Sequence, residues 1–435
     1  MQLLLQYSAV AALAGLLTVA IVTVALALKY GGRQEDSADD HDALAASRFT
    51  IPVSVIVPLE EKSPASREMI AALLGLSYPE FEVIVVADDS AATALDAVKN
   101  DWELSAHEFF YRQSLSTSTV QRIYRSSRDP RLMLVEKTAA GRADALNCGV
   151  NLARFRYTGV VDAGVVFEPD ALLRAMSAPL KDPARVVAAS SHVEARPSAG
   201  APVSADAARQ QLESIRCLME SRSIWRSLGN GLGPDRAMVV WRRDALLRMG
   251  GFSTDAVDPD LDMMRRLQTS TPASEGRAIG AVVRTTTVFG RMNPRSRPDD
   301  LAALARRQRA VLDTLSAWTG GPVRTIAWFV TSELLTPLLE MWVVFAMALG
   351  VAAGGTSWRA LVLSIILLAL RRALVTSAAL LLRGTAADAP DEQTLRRLLL
   401  LAPCEFFWYG PGAALARLNG AWAFLKGGDG MVAGS

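Results

Sequence analysis

Apolar residues are spread along the chain in three different ways. Leu3 to Leu28 is largely apolar and carries no charge, and about 20 such residues in a helix cross a bilayer core. The stretch has no basic lead-in and no small-residue cleavage site, so it reads as an anchor rather than a removable signal. Lys29 and Arg33 follow it directly. Positive charge marks the inner side of membrane segments, which puts the N-terminus outside and the next domain in the cytoplasm. Gly31 to Arg48 is polar and acidic, as a linker would be.

From Ile51 the apolar runs shorten. Val53 to Pro58 (VSVIVP) and Phe81 to Ala87 (FEVIVVA) suit strands, with a helix over Ser66 to Leu76 between them. Continuous apolar strands separated by a helix mark parallel β-α-β units. Further strands are predicted at Leu132–Glu136, Gly159–Asp162 and Arg185–Ser190, and helices at Arg142–Ala153, Pro169–Ser177 and Arg209–Leu228. The pattern predicts an α/β, Rossmann-like, doubly wound sheet domain. Beyond it, Ile326–Ala352 is apolar but holds Glu333 and Glu340, Leu361–Leu382 is interrupted by Arg371 and Arg372, and Leu398–Leu415 is rich in aromatics. Charges in such segments face a protein interior or a water-filled path, or reach the headgroups from an interfacial helix. The layout is therefore an anchor over 1–28, a linker over 29–49, an α/β domain over 50–320, transmembrane or interfacial helices over 321–425, and a tail over 426–435.

Composition sharpens this picture. Of 435 residues, 51% are hydrophobic, as expected of a chain with membrane segments. A net charge of +2 gives no electrostatic case for nucleic acid as a partner. Cys148, Cys217 and Cys404 lie far apart, and His41, His107 and His192 form no metal-ligand spacing, so neither a disulfide framework nor a structural metal is indicated.

Candidate chemistry sits at strand ends, where open α/β sheets bind ligands. Asp88 and Asp89 follow FEVIVVA, and Asp162 follows GVV. Carboxylates there can hold the base or ribose of a nucleotide, or a divalent cation on its diphosphate. A third acidic element is Asp258-Pro259-Asp260-Leu261-Asp262, which suits the first turn of a helix with Pro at its first position. Spacing alone favours a helix cap there over chemistry.

Several motifs, in order, resemble the membrane-bound family 2 glycosyltransferases, which include cellulose, hyaluronan, chitin-oligosaccharide and poly-N-acetylglucosamine synthases. They are VSVIVP, LSYPEFEVIVVADDS, AAGRADALNCGVNLAR, GVVDAGVVFEPDALLRA, MVVWRRDALLRMGGF, DPDLDMMRRL, ARRQRAVL and SELLTPLLE. The resemblance implies a GT-A-type fold and an inverting transfer from a UDP-sugar to a carbohydrate or lipid-linked acceptor, within envelope polysaccharide biosynthesis at a bacterial inner membrane. It places Asp88 and Asp89 at the nucleotide, with Asp89 on the uridine. Arg142 and Asp144 line the donor pocket, and Asp162 faces a Mg²⁺ or Mn²⁺ ion and the diphosphate. Asp260 is the general base, and Arg309 lies near the diphosphate. Membrane lipids are implied neighbours.

The sequence departs from the family pattern at several of these places. Leu59-Glu60-Glu61 replaces Tyr-Asn-Glu, Arg142 replaces a Lys, and Gly164 replaces the second Asp of the DxD element. Pro259 stands before the proposed base, Asp235-Arg236-Ala237 falls where Gly-Ala-Phe is usual, and Val311-Leu312 replaces the Arg-Trp of the QxxRW element. Two readings follow. One is an active transferase. The other is a catalytically inactive, glycosyltransferase-like subunit that partners an active synthase or export subunit. A small transporter is disfavoured by the large α/β domain and by the lack of an inverted repeat.

Overall fold

The structure is a computed structural model. It describes residues 2–30, 50–59, 67–88, 92–162, 164–191, 193–196, 204–220, 223–224, 238–270, 281–284, 288–292, 294–320, 323–384 and 392–427. The linker expected over 31–48, the Glu60-Glu61 pair, Asp89 and residues 235–237 lie outside them. The chain divides into two compact units. One comprises Gln34–Ala201 and Asn230–Asn293, and the other Met1–Arg33, Pro202–Gly229 and Pro294–Ser435.

The first unit is an α/β domain. Among the described residues its strands are β1 (Val53–Leu59), β2 (Phe81–Asp88), β3 (Leu104–Ala106), β4 (Val120–Ser126), β5 (Leu132–Lys137), β6 (Tyr157–Val161), β7 (Val165–Phe167), β8 (Val186–Ser191), β9 (Val193–Arg196), β10 (Met238–Arg242), β11 (Ala281–Arg284) and β12 (Val288–Met292). Nine form one sheet in the order β11-β8-β10-β6-β1-β2-β5-β4-β3, and β7-β12-β9 form a small second sheet. The middle of the large sheet, β6-β1-β2-β5, is parallel. Every residue of β1 and β6 is buried, which is why these strands read as unbroken apolar runs.

The sheet is mixed rather than purely parallel. β10 runs antiparallel between β6 and β8, and β4 and β3 close the far edge antiparallel. Chain order reverses at β1, with β2 on one side and β6 on the other, so the crevice beyond their carboxyl ends is a topological switch point.

Two polar residues inside the apolar strands have a purpose in register. Ser54 Oγ donates to Glu82 Oε1 at 2.7 Å. Glu82 also accepts from Arg154 N and Nε at 2.9 and 2.7 Å, which pins the chain just after the helix Gly141–Leu152 to β2.

The second unit is helical. Among the described residues, three of its helices are long and apolar enough to cross a membrane: Leu3–Tyr30, Val323–Ala352 and Trp358–Arg383. Ala12, Leu13 and Leu16 of the first pack with Val343 and Leu368 of the other two. The charges inside these segments are turned toward protein partners. Glu333, in a π-helical turn, accepts from Arg307 at 3.0 Å, and Glu340 pairs with Arg371. A continuous span over Leu398–Leu415 is not formed. The chain there breaks into helices Glu392–Leu401, Glu405–Trp408 and Gly410–Leu425. Pro403 and the Gly410-Pro411 step interrupt the apolar run, and the carboxylate of Glu405 is fully buried against Arg216.

Candidate active site

The helix Gly141–Leu152 is the scaffold of the site. Asp144, Asn147 and Asn151 recur at helical spacing and share one buried face. Each holds a loop. Asn151 Oδ1 accepts from the backbone N–H of Ser114 and Leu115, and its Nδ2 donates to Leu115 O. Asn147 pairs with Phe252 through two backbone bonds of 2.8 and 2.9 Å. That second loop needs Gly251, which has φ +78°, and a Cβ there would stand 2.5 Å from Asn147 Oδ1.

The resemblance assigns Asp144 to the donor pocket. It is buried, accepts from Ser118 N and Oγ at 2.9 Å each, and pairs with Lys137 Nζ at 2.5 Å. Lys137 is itself wholly buried and donates to Thr138 O. Both are positioning residues: together they fix the start of the helix on which Arg142 stands. Lys137 escapes a sequence reading, because a lysine closing a strand is ordinarily a solvated one.

Arg142 leaves the first turn of this helix and meets two acids from distant motifs. Its Nη2 donates to Asp162 Oδ1 at 2.7 Å and to Asp260 Oδ2 at 3.2 Å, with Nε a longer 3.4 Å from the same Asp260 oxygen. Asp162 follows the last residue of β6 at the switch point, and its side chain is 44% exposed. Asp260 is only 11% exposed, and its Oδ1 is enclosed with no hydrogen-bond partner. Leaving such an oxygen unsatisfied costs about 1–3 kcal/mol.

The acidic run is split by role. Asp258 caps the helix Pro259–Ser270, its Oδ1 accepting from Leu261 N at 2.8 Å. Asp262 ties Arg265 and Arg266 at 2.6 and 2.7 Å, and Arg266 donates to the carbonyls of Met249 and Gly251. Asp260 turns to Arg142. The capping reading thus holds for Asp258 and not for its neighbour.

The remaining expected residues are placed as follows. Asp88 closes β2 at the same edge of the sheet as Asp162, with β1 between them. Asp89 lies outside the described residues. Arg309 stands on the helix Arg297–Ser316 of the helical unit, where the neighbouring Gln308 and Val311 are buried. Cys148 is buried in the scaffold helix and its thiol is pushed up to about 12 by burial, so it offers no nucleophile at neutral pH.

The family model described as "Glycosyltransferase like family 2" matches residues 51–311. Among solved structures, a mannosyltransferase from Pyrobaculum calidifontis in complex with GDP-Man and Mn²⁺ is similar at a TM-score of 0.57 and 20% identity, over 93% of this chain and 99% of that one. Glucosyl-3-phosphoglycerate synthase from Mycobacterium tuberculosis, with Mn²⁺, UDP and phosphoglyceric acid, matches at 0.39 and 14% over 65% and 83%. S. aureus TarS 1–349 with UDP-GlcNAc matches at 0.37 and 13% over 87% and 92%. At these identities the likeness is one of fold, and the first of the three carries it. No curated protein matches the chain at a significant level.

The divalent ion implied by the resemblance can be tested against the residues present. Among the described residues, no group of three or more His, Cys, Asp or Glu could hold a metal. Asp162 Oδ1 already binds a guanidinium. Two residues on, where a second carboxylate would help, Gly164 has φ +90°, a conformation that costs an L-residue about 1–2 kcal/mol. A hard cation depends on several oxygen ligands. A divalent ion about 4 Å from the guanidinium would also be repelled by roughly 8 kcal/mol at an effective dielectric of about 20. The described residues do not fit a divalent cation.

Proposed function

The chain belongs to the glycosyltransferase like family 2, and on that premise we propose that it is an active, inverting transferase that moves a sugar from a nucleotide-sugar, of the UDP class, to a polysaccharide or glycolipid acceptor. One observation carries this reading: Arg142 joins Asp162 and Asp260, which lie 20 and 118 residues away in sequence, at the carboxyl edge of the sheet.

Each group has a role in the proposed reaction. Asp88 and Asp89 hold the nucleotide, and Asp162 and Arg142 face the diphosphate. The acceptor hydroxyl gives its proton to the Asp260 carboxylate as its oxygen bonds to the anomeric carbon. The bond from that carbon to the diphosphate oxygen breaks on the opposite face, and the nucleoside diphosphate leaves with the electron pair. Asp260 is suited to this by its position beside Arg142 and its enclosed, unpartnered oxygen.

Three long apolar helices support a membrane protein. We place it in a bacterial inner membrane with the α/β unit on the cytoplasmic side. The reading as an inactive partner of a synthase rests on Gly164 and on Val311-Leu312. The retained Asp162–Arg142–Asp260 arrangement favours activity.

The test is release of nucleoside diphosphate by the full chain in lipid nanodiscs, over a panel of UDP- and GDP-sugars with lipid and oligosaccharide acceptors. Proton NMR would give the anomeric configuration of the product. Release with inverted configuration is expected. Retention, or no release from any donor, would overturn the reading.

A further inference from the structure

The helical unit holds arginines among its apolar helices, and two of them have no carboxylate of their own. The helices Leu3–Tyr30 and Trp358–Arg383 run side by side in the same direction. Ala9 packs with Leu361, Leu16 with Leu368, and Ala27 with Ala378 and Ala379. Arg371 and Arg372 therefore stand between the levels of Leu16 and Ala27, in the half that ends at Tyr30, the side we place in the cytoplasm.

Most charges around this level are matched. Arg209 pairs with Glu213 and Asp300, Arg307 with Glu333, and Arg371 with Glu340. Glu405 gives both oxygens to Arg216. Arg372 is left with a 3.8 Å contact to a Glu405 oxygen that Arg216 already uses. Arg417, on the helix Gly410–Leu425, has no carboxylate within ion-pairing distance among the described residues. Arg372 and Arg307 repel it, and Glu333 and Glu213 attract it from further away. The side chain of Arg372 is 22% exposed, so the surplus positive charge can be reached from outside the helices.

A charge among apolar helices is costly and marks a functional place. Two guanidiniums that repel each other favour an anion beside them, and phosphate oxygens suit their planar donors. Basic pockets between membrane helices on the cytoplasmic side take the head groups of anionic lipids. The apolar surface nearby suits acyl chains: Leu370 and Leu374 lie within two residues of Arg372, Leu415 and Leu418 within two of Arg417, and all four are exposed.

We infer that Arg372 and Arg417 form a binding site for the phosphate of an anionic membrane lipid. The lipid supplies the negative charge that the protein leaves out. The inference needs the membrane placement and not the transferase reading.

The experiment uses the full chain in a neutral detergent, with phosphatidylglycerol, phosphatidylcholine or inorganic phosphate added. Native mass spectrometry reads lipid binding, and the melting temperature is measured beside it. Phosphatidylglycerol should bind about tenfold or more tighter than phosphatidylcholine and raise the melting temperature. Inorganic phosphate at the same concentration should not raise it. Arg372→Gln and Arg417→Gln should each weaken phosphatidylglycerol binding by about fivefold, the effect of one charge at an anionic surface, and leave phosphatidylcholine binding unchanged. Each variant removes a repulsion, so neither should melt below the wild type in lipid-free detergent. Arg396→Gln, which removes an exposed arginine paired with Glu392 in the same unit, should bind as the wild type does.

Equal binding of the two lipids by the wild type would overturn the inference. An equal effect of all three substitutions would reduce any selectivity to general surface charge and overturn the site. Stabilisation by inorganic phosphate that matches phosphatidylglycerol would overturn the lipid as its ligand. A lower melting temperature of Arg372→Gln or Arg417→Gln without lipid would contradict the surplus charge on which the site rests.

Discussion

Two arginines of this protein meet carboxylates in opposite ways. In the helical unit, Arg216 makes a bidentate pair with Glu405 at 2.7 and 3.0 Å, and Glu405 is wholly buried. Both Glu405 oxygens are taken, and a further Arg216 bond goes to Thr376. In the α/β unit, Arg142 divides its fork between two acids, one 44% exposed and the other with an enclosed oxygen that nothing satisfies. The first pair is closed and serves to hold helices together. The second leaves one oxygen of Asp260 enclosed without a partner. An ion pair in a structure therefore says little until one asks which lone pairs and donors are left over.

Substitutions can break or sharpen this contrast. The largest loss of stability is expected from Arg216→Met, which leaves the buried Glu405 with the longer 3.8 Å contact to Arg372, at a cost of about 3–5 kcal/mol. A lower melting temperature in detergent would show it, with nucleotide affinity unchanged in the protein that remains folded. Next comes Asp144→Asn, which weakens the buried contact to Lys137 by about 1.5–3 kcal/mol. Unfolding should report this change, and a loss of nucleotide affinity without a loss of stability would instead return Asp144 to the donor pocket. Gly251→Ala costs about 1–2 kcal/mol for a side chain at φ +78°, and the close approach of its Cβ to Asn147 Oδ1 adds to this. Because that turn is tied to Asn147 and Arg266, turnover should fall along with the melting temperature.

The parts of the fold legible in the sequence are those with one dominant physical cause. β1, β2, β5 and β6 read as continuous apolar runs because, as central parallel strands, they are buried on both faces. The start of the helix at Pro259 follows from proline's fixed φ and the acids in the first turn. β4 was hidden because it lies near the sheet's edge and mixes exposed and buried positions. β7, β9 and β12 are short and take their pairing from residues far along the chain.

The site shows the same division. Asp162, Arg142 and Asp260 stand in recognisable motifs, but that one guanidinium joins them follows only from the fold. The roles of Asp258 and Asp260 could not be separated by spacing, since both fit a first turn. Helix geometry sends one back to its own backbone and the other across to Arg142. Lys137 and the break within Leu398–Leu415 were missed because a buried lysine and a buried glutamate are each exceptions to a composition rule, explained only by their partners.

The most direct test of the account sets these two neighbouring aspartates against each other. Turnover and melting temperature are measured for Asp258→Asn and Asp260→Asn beside the wild type. Asparagine caps a helix about as well as aspartate, so Asp258→Asn should keep its turnover within about threefold. Asp260→Asn should lose turnover by about 10²–10⁴-fold, the usual contribution of a general base, with its melting temperature little changed. Equal turnover in the two variants, or a loss in Asp260→Asn that merely follows its stability, would contradict the assignment of Asp260 as the base.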